Sequence, residues 1–501
     1  MREFYLDNML LGMKPFSTVH RYGVNGKIAG NLAAVHELKS AVPVLYGPKG
    51  CCFHYRYSAR ARNTNYPELE SLDLLNKDVI FGASERLGSL LKEIDARERP
   101  ELIIILPTVV SDIIYDDIEG AVRQVQPQLQ AKVVAVKSQA FSHMDRNNTQ
   151  KLLKEKAAQG CKSRVSGSAV YPGCGYVEVM EALVEQVMEP QSLQPKTVNI
   201  ESFIWGYDGA QKLKAISKLL AKAGIKVNTL LPAASLKSIV RAPAAELNIV
   251  RRKKWALAME KKFATPYFHI GDMQAWQGLE GIRDFYLTIG RALRVEDAMS
   301  KALAQEEARI MPEYQRLREK FSQHSCCLIS GSLAALPEQV AYYYGELGLR
   351  LDTICLKINP AFQREAGLDN ATMANFYDRI DKALAALDCK ARVLLNPDWE
   401  QLREAAQASE LLICGPNPDY AKLGRPIIPS SLNRPVFDYD SLLDIFLELQ
   451  EILQGAKDKE PLDLLLNKLD FDPVLYPLEA QDINSKAARE MYVRMWWMRR
   501  K

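Results

Sequence analysis

What most narrows the fold of this chain is a rhythm. Short apolar runs of strand length alternate with helical patterns of about 10–15 residues, the signature of βαβ units and parallel sheets. The clearest strand is Glu101-Leu-Ile-Ile-Ile-Leu-Pro-Thr-Val109, a continuous apolar run of the kind a parallel strand shows when buried on both faces. It belongs to a first series with Val42–Tyr46 and Lys132–Lys137, and a helical spacing of leucines runs over Leu75–Asp95. A second series has strands at Thr197–Trp205, Lys226–Pro232, Leu247–Val250 and Pro266–Ile270. A third repeats the pattern at Cys326–Ser330, Asp352–Lys357, Ala391–Leu395, Leu411–Cys414 and Pro426–Pro429. The expected class is α/β, with three Rossmann-like domains built on parallel sheets. The expected divisions are an N-terminal domain at 1–195, a middle domain at 196–295, a C-terminal domain at 296–455 and a tail at 456–501.

Composition rules out several classes. A net charge of +4 on 501 residues carries no electrostatic footprint for nucleic acid. No run approaches the roughly 18 apolar residues of a membrane span. The opening residues lack the apolar core of a signal peptide, and the nine cysteines follow no regular spacing. The expectation is a cytoplasmic protein with reduced thiols.

Common catalytic signatures are missing. Gly47-Pro-Lys-Gly50 lacks phosphate-loop spacing, and no Gly-x-Gly-x-x-Gly follows a strand. His-Glu-x-x-His, Cys-x-x-Cys and nucleophile-elbow patterns are absent too. Of six histidines, His54 lies near a cysteine turn and His269 ends a strand, and both are expected to be surface or satisfied core residues. Cys326, Cys327, Cys355 and Cys414 fall in apolar strands and read as inert core.

The most suggestive stretch is Val44–Arg62, where a strand stops at Gly-Pro-Lys-Gly and Cys51 and Cys52 follow at once. Open α/β sheets place their chemistry at this edge. Glycine there lets the backbone approach a bulky ligand. Lys49, Arg56, Arg60 and Arg62 make the surroundings positive, and positive charge favours the thiolate that binds iron. The competing expectation is a reduced, half-buried cysteine pair on a packed turn. Cys161 and Cys174, in or beside a polar stretch at 143–172, are weaker candidates that would have to fold back toward Cys51.

Several segments resemble the nitrogenase component 1 family, which includes dinitrogenase subunits, a cofactor-assembly scaffold and protochlorophyllide reductase subunits. Tyr46-Gly-Pro-Lys-Gly-Cys51 resembles its His-Gly-Pro-x-Gly-Cys element, with Tyr46 in the place of the histidine. Asn76-Lys-Asp-Val-Ile-Phe-Gly-Ala-Ser-Glu-Arg-Leu87 resembles its Asp-x-Val-Phe-Gly-Gly helix start. Leu106-Pro-Thr-Val-Val-Ser-Asp-Ile-Ile-Tyr-Asp-Asp-Ile118 resembles its Ser-Thr-Cys segment and the Asp-Asp beyond it. In the middle domain, Met259–Tyr267 and Gly281–Phe285 carry the likeness on.

The resemblance implies three Rossmann-like domains and a complex fed by a separate ATP-dependent iron–sulfur reductase. It also implies a homologous partner subunit, in a heteromer or homodimer, and an iron–sulfur cluster between subunits. On that likeness Cys51 is a cluster ligand, with Cys52 and Cys174 as weak alternatives. The chain also departs from the pattern. The places of the first and third cluster cysteines are taken by about Gly26 and by Val109. A four-iron cluster takes about four thiolates, so the resemblance implies a [4Fe-4S] cluster completed by the partner. The catalytic cofactor's cysteine would align near Asn248, and its histidine has no match around Phe437–Asp440, so dinitrogen reduction is not expected. The alternative function is a non-catalytic scaffold or a structural paralogue.

Overall fold

In a computed structural model of the chain, residues 27–52, 69–108, 111, 116–137, 171–201, 209–270, 276–331, 335–358, 370–415, 418–433 and 436–455 are described. They form three sheets whose strand pairs are all parallel.

The first unit begins with α1 (Lys27–Glu37) and β1 (Ala41–Tyr46), then β2 (Glu70–Ser71), α2 (Asn76–Phe81) and α3 (Ser84–Glu98). It continues through β3 (Leu102–Pro107), α4 (Ile118–Val125), β4 (Lys132–Ala135) and α5 (Tyr171–Gln186). The sheet order is β2-β1-β3-β4, and β1 pairs with β3 from Ala41↔Leu102 to Tyr46↔Pro107. Period-2 alternation sorts the side chains of these strands between two cores. Leu45, Leu102, Ile104 and Leu106 pack toward α1 and α5, whereas Val42, Val44, Tyr46, Ile103 and Ile105 pack toward α3 and α4.

The second unit holds β5 (Gln194–Glu201), α6 (Gly209–Lys222), β6 (Lys226–Leu231), α7 (Leu236–Val240), β7 (Ala245–Val250), α8 (Lys253–Phe263) and β8 (Tyr267–His269), in sheet order β6-β5-β7-β8. Two helices, α9 (Gly278–Ala292) and α10 (Glu296–Phe321), lead to the third unit. There β9 (Ser325–Ser330), α11 (Leu336–Val340), β10 (Arg350–Leu356), α12 (Asn370–Ala386) and β11 (Arg392–Leu395) are followed by α13 (Trp399–Gln407), β12 (Leu411–Cys414), α14 (Pro418–Ala421), β13 (Ile427–Pro429) and α15 (Tyr439–Gly455). This sheet runs β11-β10-β9-β12-β13, the 3-2-1-4-5 winding of a Rossmann-like half. The units share cores. Trp255 and Met259 of α8 pack with α1 and α5, and α9, α10 and α15 pack in one core with strands of the second and third sheets.

Two local points differ from the sequence reading. The helical pattern at Leu75–Asp95 is two helices, because Gly82 (φ 84°) breaks it between α2 and α3. Helix α9 was not anticipated: Gly278, Gly281 and Gly290 weaken its helical signature. Gly281 is nonetheless required there, since a Cβ would sit 2.3 Å from the Trp276 carbonyl carbon. Helix α5 starts at Tyr171, so Cys174 lies on it. After Val340, α11 passes into a π-helical stretch, Ala341–Glu346. Among the described residues no helix is long and apolar enough to cross a membrane.

Candidate functional site

In the first sheet the chain moves from β1 outward to β2 and then returns to the other side of β1 for β3. The reversal point lies between the C-terminal ends of β1 and β3, where open α/β sheets form their binding crevice. Gly47 and Thr108 stand at those ends. Thr108 donates its backbone N–H to the Tyr46 carbonyl (3.1 Å) and to Ser111 Oγ (2.7 Å). A Cβ on Gly47 would lie 2.4 Å from Thr108 Cγ2, so only glycine permits this approach. Thr108 Oγ1 is buried with no hydrogen-bond partner among the described residues.

Beyond Gly47, residues 49–52 turn into helix, with the Cys51 N–H donating to the Pro48 carbonyl at 3.0 Å. Cys51 is half-buried against the core shared by α1 and α5. Cys52 is only 2% exposed and donates its thiol to the Leu69 carbonyl at 3.6 Å, which makes it a core residue. One expectation fails here. Burial pushes the Cys51 thiol pKa up rather than down, because low-dielectric surroundings disfavour the thiolate. Lys49 is exposed, while His54, Arg56, Arg60 and Arg62 lie outside the described residues, as do Cys161, Val109 and Gly26. Cys174 is described only as a backbone position on α5.

The opposite face of the same edge holds a feature that sequence reasoning missed. Tyr46 is fully buried and donates its hydroxyl to Asp116 Oδ2 at 2.5 Å. Asp116 Oδ2 also accepts the Ala83 N–H at 3.0 Å, just after the Gly82 break. Helix α2 is therefore tied down at its C-terminal end. Near its N-terminal end the Leu74 N–H reaches the Gly47 carbonyl at 3.0 Å. Asp78 fastens it further, accepting the Leu75 N–H (2.8 Å) and Arg86 (2.6 Å). Burial works against the Asp78 carboxylate, but those donors prevail and hold its pKa below the ordinary value.

Held this way, α2 turns an apolar face outward. Phe81 is 85% exposed and Ile80 73%, with Leu75 and Val79 beside them. Large contiguous apolar exposure marks an interaction surface. The available signal was Val79-Ile80-Phe81, three adjacent apolar residues that no single helix face can bury.

The corresponding edge of the middle sheet is occupied by the chain itself. Glu201, fully buried at the end of β5, accepts the backbone N–H groups of Arg251 (2.8 Å) and Arg252 (3.0 Å) and the Trp255 indole N–H (3.1 Å). It also pairs with the Arg252 guanidinium, which stacks 3.7 Å over the Tyr176 ring. That stack joins the first two units, and Tyr176 in turn donates to Glu37 at 2.8 Å within the first. Asn248 is buried in an amide row, accepting from Asn199 (2.8 Å), which accepts from Asn228 (2.8 Å). His269 Nε2 donates to the Arg251 carbonyl at 3.0 Å, a satisfied histidine.

The remaining described cysteines, Cys326, Cys327, Cys355, Cys389 and Cys414, are all buried. Burial raises Cys414 to about 12. The Cys327 and Cys355 sulfurs lie 3.8 Å apart, and hydrogen bonding from the Cys327 thiol lowers the Cys355 pKa. Among the described residues no group of three or more His, Cys, Asp or Glu side chains is placed to hold a metal ion.

Comparison with known proteins agrees with this architecture. The iron–molybdenum cofactor biosynthesis protein NifE of Clostridium pasteurianum is 26% identical over 313 residues, covering 60% of this chain and 61% of that protein. A light-independent protochlorophyllide reductase polypeptide of Nostoc punctiforme is 23% identical over 251 residues (49% of this chain, 46% of the relative). Component CfbD of the Ni-sirohydrochlorin a,c-diamide reductive cyclase complex of Methanothermobacter thermautotrophicus is 31% identical over 133 residues (26% and 36%). The chain thus spans about six-tenths or less of the length of these curated relatives. Among solved structures, nitrogenase Cp1 at pH 6.5 superposes with a TM-score of 0.53 at 16% identity, over 86% of this chain and 89% of that one, a likeness of fold. The family model for nitrogenase component 1 type oxidoreductases matches residues 27–159 and 172–442, most of the sequence, and the chain belongs to that family.

Proposed function

We propose that this chain is a subunit of a nitrogenase-like iron–sulfur oxidoreductase complex, receiving electrons from an ATP-dependent iron–sulfur reductase. In this reading it contributes Cys51 as one ligand of a cluster completed by a homologous partner subunit. The observation that carries the reading is the placement of Cys51. It sits at the reversal point of the first sheet and is only partly buried, whereas every other cysteine with a described side chain is buried.

The residues fit a contributed ligand and not a complete site. One cysteine stands at the edge, and the described residues offer no further ligand set. A [4Fe-4S] cluster takes about four thiolates, so the partner supplies the other three. When bound, such a cluster supplies one-electron transfer. The chain's own residues do the rest. Cys51, whose thiol holds its proton tightly, gives it up on ligation, as metal binding requires. Gly47 and Thr108 pack the turn that aims it. The apolar face of α2 gives an approaching chain a surface to cover.

A second reading is an assembly scaffold for a metal cluster. Two observations favour it: similarity to cofactor biosynthesis proteins, and the middle-sheet edge filled by Glu201, Arg252 and Trp255. The test is anaerobic co-purification with a homologous component 1-type subunit from the same host, followed by iron, sulfide and visible spectra. Cys51→Ala is expected to bleach the iron–sulfur absorption, and Cys52→Ala to leave it. Equal spectra for the wild type and Cys51→Ala reject the ligand assignment. Turnover driven by an ATP-dependent reductase separates the oxidoreductase from the scaffold.

A further inference from the structure

We propose that the Tyr46 hydroxyl is a positioning group that, through Asp116, sets the apolar face of α2 in register with the Cys51 turn. The inference rests on the proposed function for its purpose, but its physical content stands on the chain alone. Tyr46 is the last residue of β1, and Cys51 follows it across Gly47, Pro48 and the first two helical residues, Lys49 and Gly50. From Tyr46 the hydroxyl reaches Asp116 Oδ2, and the same oxygen holds the Ala83 N–H at the far end of α2. From Gly47 the carbonyl holds the Leu74 N–H at the near end. Helix α2 is thus clamped at both ends to the two residues that launch the cysteine turn.

The geometry gives this clamp a reason beyond packing. A six-residue helix is too short to be stable by itself. Its apolar residues point outward, so the core does not fix it either. Asp78 holds its first turn through the Leu75 N–H and Arg86, and its far end is fixed by the carboxylate of Asp116, which Tyr46 aims. Gly82 leaves room for it, since a Cβ there would lie 3.1 Å from Asp116 Oδ1. A chain docking on Phe81 and Ile80 would therefore press on the segment that presents Cys51, joining contact and ligation in one event.

The test uses the full, metal-free chain, so it stands or falls separately from the cluster assignment. Two rates are read: hydrogen exchange of the Ala83 amide, and alkylation of Cys51 by iodoacetamide, followed on the peptide by mass spectrometry. Losing a hydrogen bond to a partly buried carboxylate is worth about a tenfold change in a local opening equilibrium. Tyr46→Phe is expected to speed both rates by about that factor. Asp116→Asn keeps an oxygen that accepts from both donors, and should leave both within about twofold of wild type. Phe81→Ser, on the exposed face, should change neither. If Tyr46→Phe is too unstable to purify, Asp116→Ala removes the other half of the clamp and should give the same paired increase. Faster Ala83 exchange with unchanged Cys51 alkylation would overturn the proposal, because the bond would then hold α2 alone. So would an equal disturbance from Asp116→Asn, which would trace the effect to lost charge.

Discussion

Gly47→Ala is the sharpest test of how the cysteine turn is built. A Cβ at this position would lie 2.4 Å from Thr108 Cγ2, 2.5 Å from Oγ1 and 3.0 Å from Cβ, where real contacts begin only near 3.0 Å. Two atoms of one side chain must move by about half an ångström or more. Thr108 resists, because a β-branched side chain has few rotamers. Its backbone is pinned as well, by hydrogen bonds to Tyr46 and Ser111. Overpacking of a dense interior costs about 1–3 kcal/mol. For a unit of this size each kcal/mol lowers the melting temperature by about 2–4 °C, so the transition containing the first sheet should fall by about 2–12 °C. Thermal unfolding, with hydrogen exchange of β1 and β3 identifying the transition, provides the assay. Thr108→Ala removes both clashing atoms, and the double variant should recover most of the loss. That recovery would appear as a coupling of at least about 1 kcal/mol between the two substitutions. A harmless Gly47→Ala, or a double variant no better than the single one, would refute the steric argument.

Other outcomes follow from the same geometry. Thr108→Val, which deletes an unpartnered buried hydroxyl at nearly constant shape, should be neutral or stabilising by up to about 1 kcal/mol in urea unfolding. Because burial raises the Cys51 pKa, its alkylation should stay slow at pH 7 and rise only above the ordinary value of 9.0; a midpoint near 8 would contradict this. The Asp78 pKa is depressed on folding, so the stability from this group is present above 3.8 and disappears as pH falls through the lower folded value. Asp78→Asn should flatten the acid limb of stability against pH, and identical limbs would count against the assignment. Glu201→Ala strips a buried carboxylate from the Arg252 guanidinium and should cost about 3–5 kcal/mol, with unchanged urea midpoints as the contrary result.

The architecture could be read from the chain because it is written in short-range periodicity. Residues 101–109 show a buried parallel strand by composition alone, and β1, β3, β7 and β9 all appear within a few residues of their expected positions. Cys51 stood out for the same local reason: a strand, a glycine turn and a thiol in immediate succession.

Contacts between distant residues decided the rest. Tyr46 and Asp116 are 70 residues apart, and Glu201 meets Trp255 across 54. No pattern within a window of sequence pairs them, since each polar group is placed by how the sheets and helices pack. The same packing turns Val79, Ile80 and Phe81 outward, whereas their hydrophobicity alone argues for the core. It also raises the Cys51 pKa where the nearby lysine and arginines argue for lowering it. Sequence thus determined the order of strands and helices and the cysteine at the sheet edge. Tertiary structure decided which groups are buried, paired or exposed around it, because desolvation and hydrogen-bond partners exist only once the chain has folded.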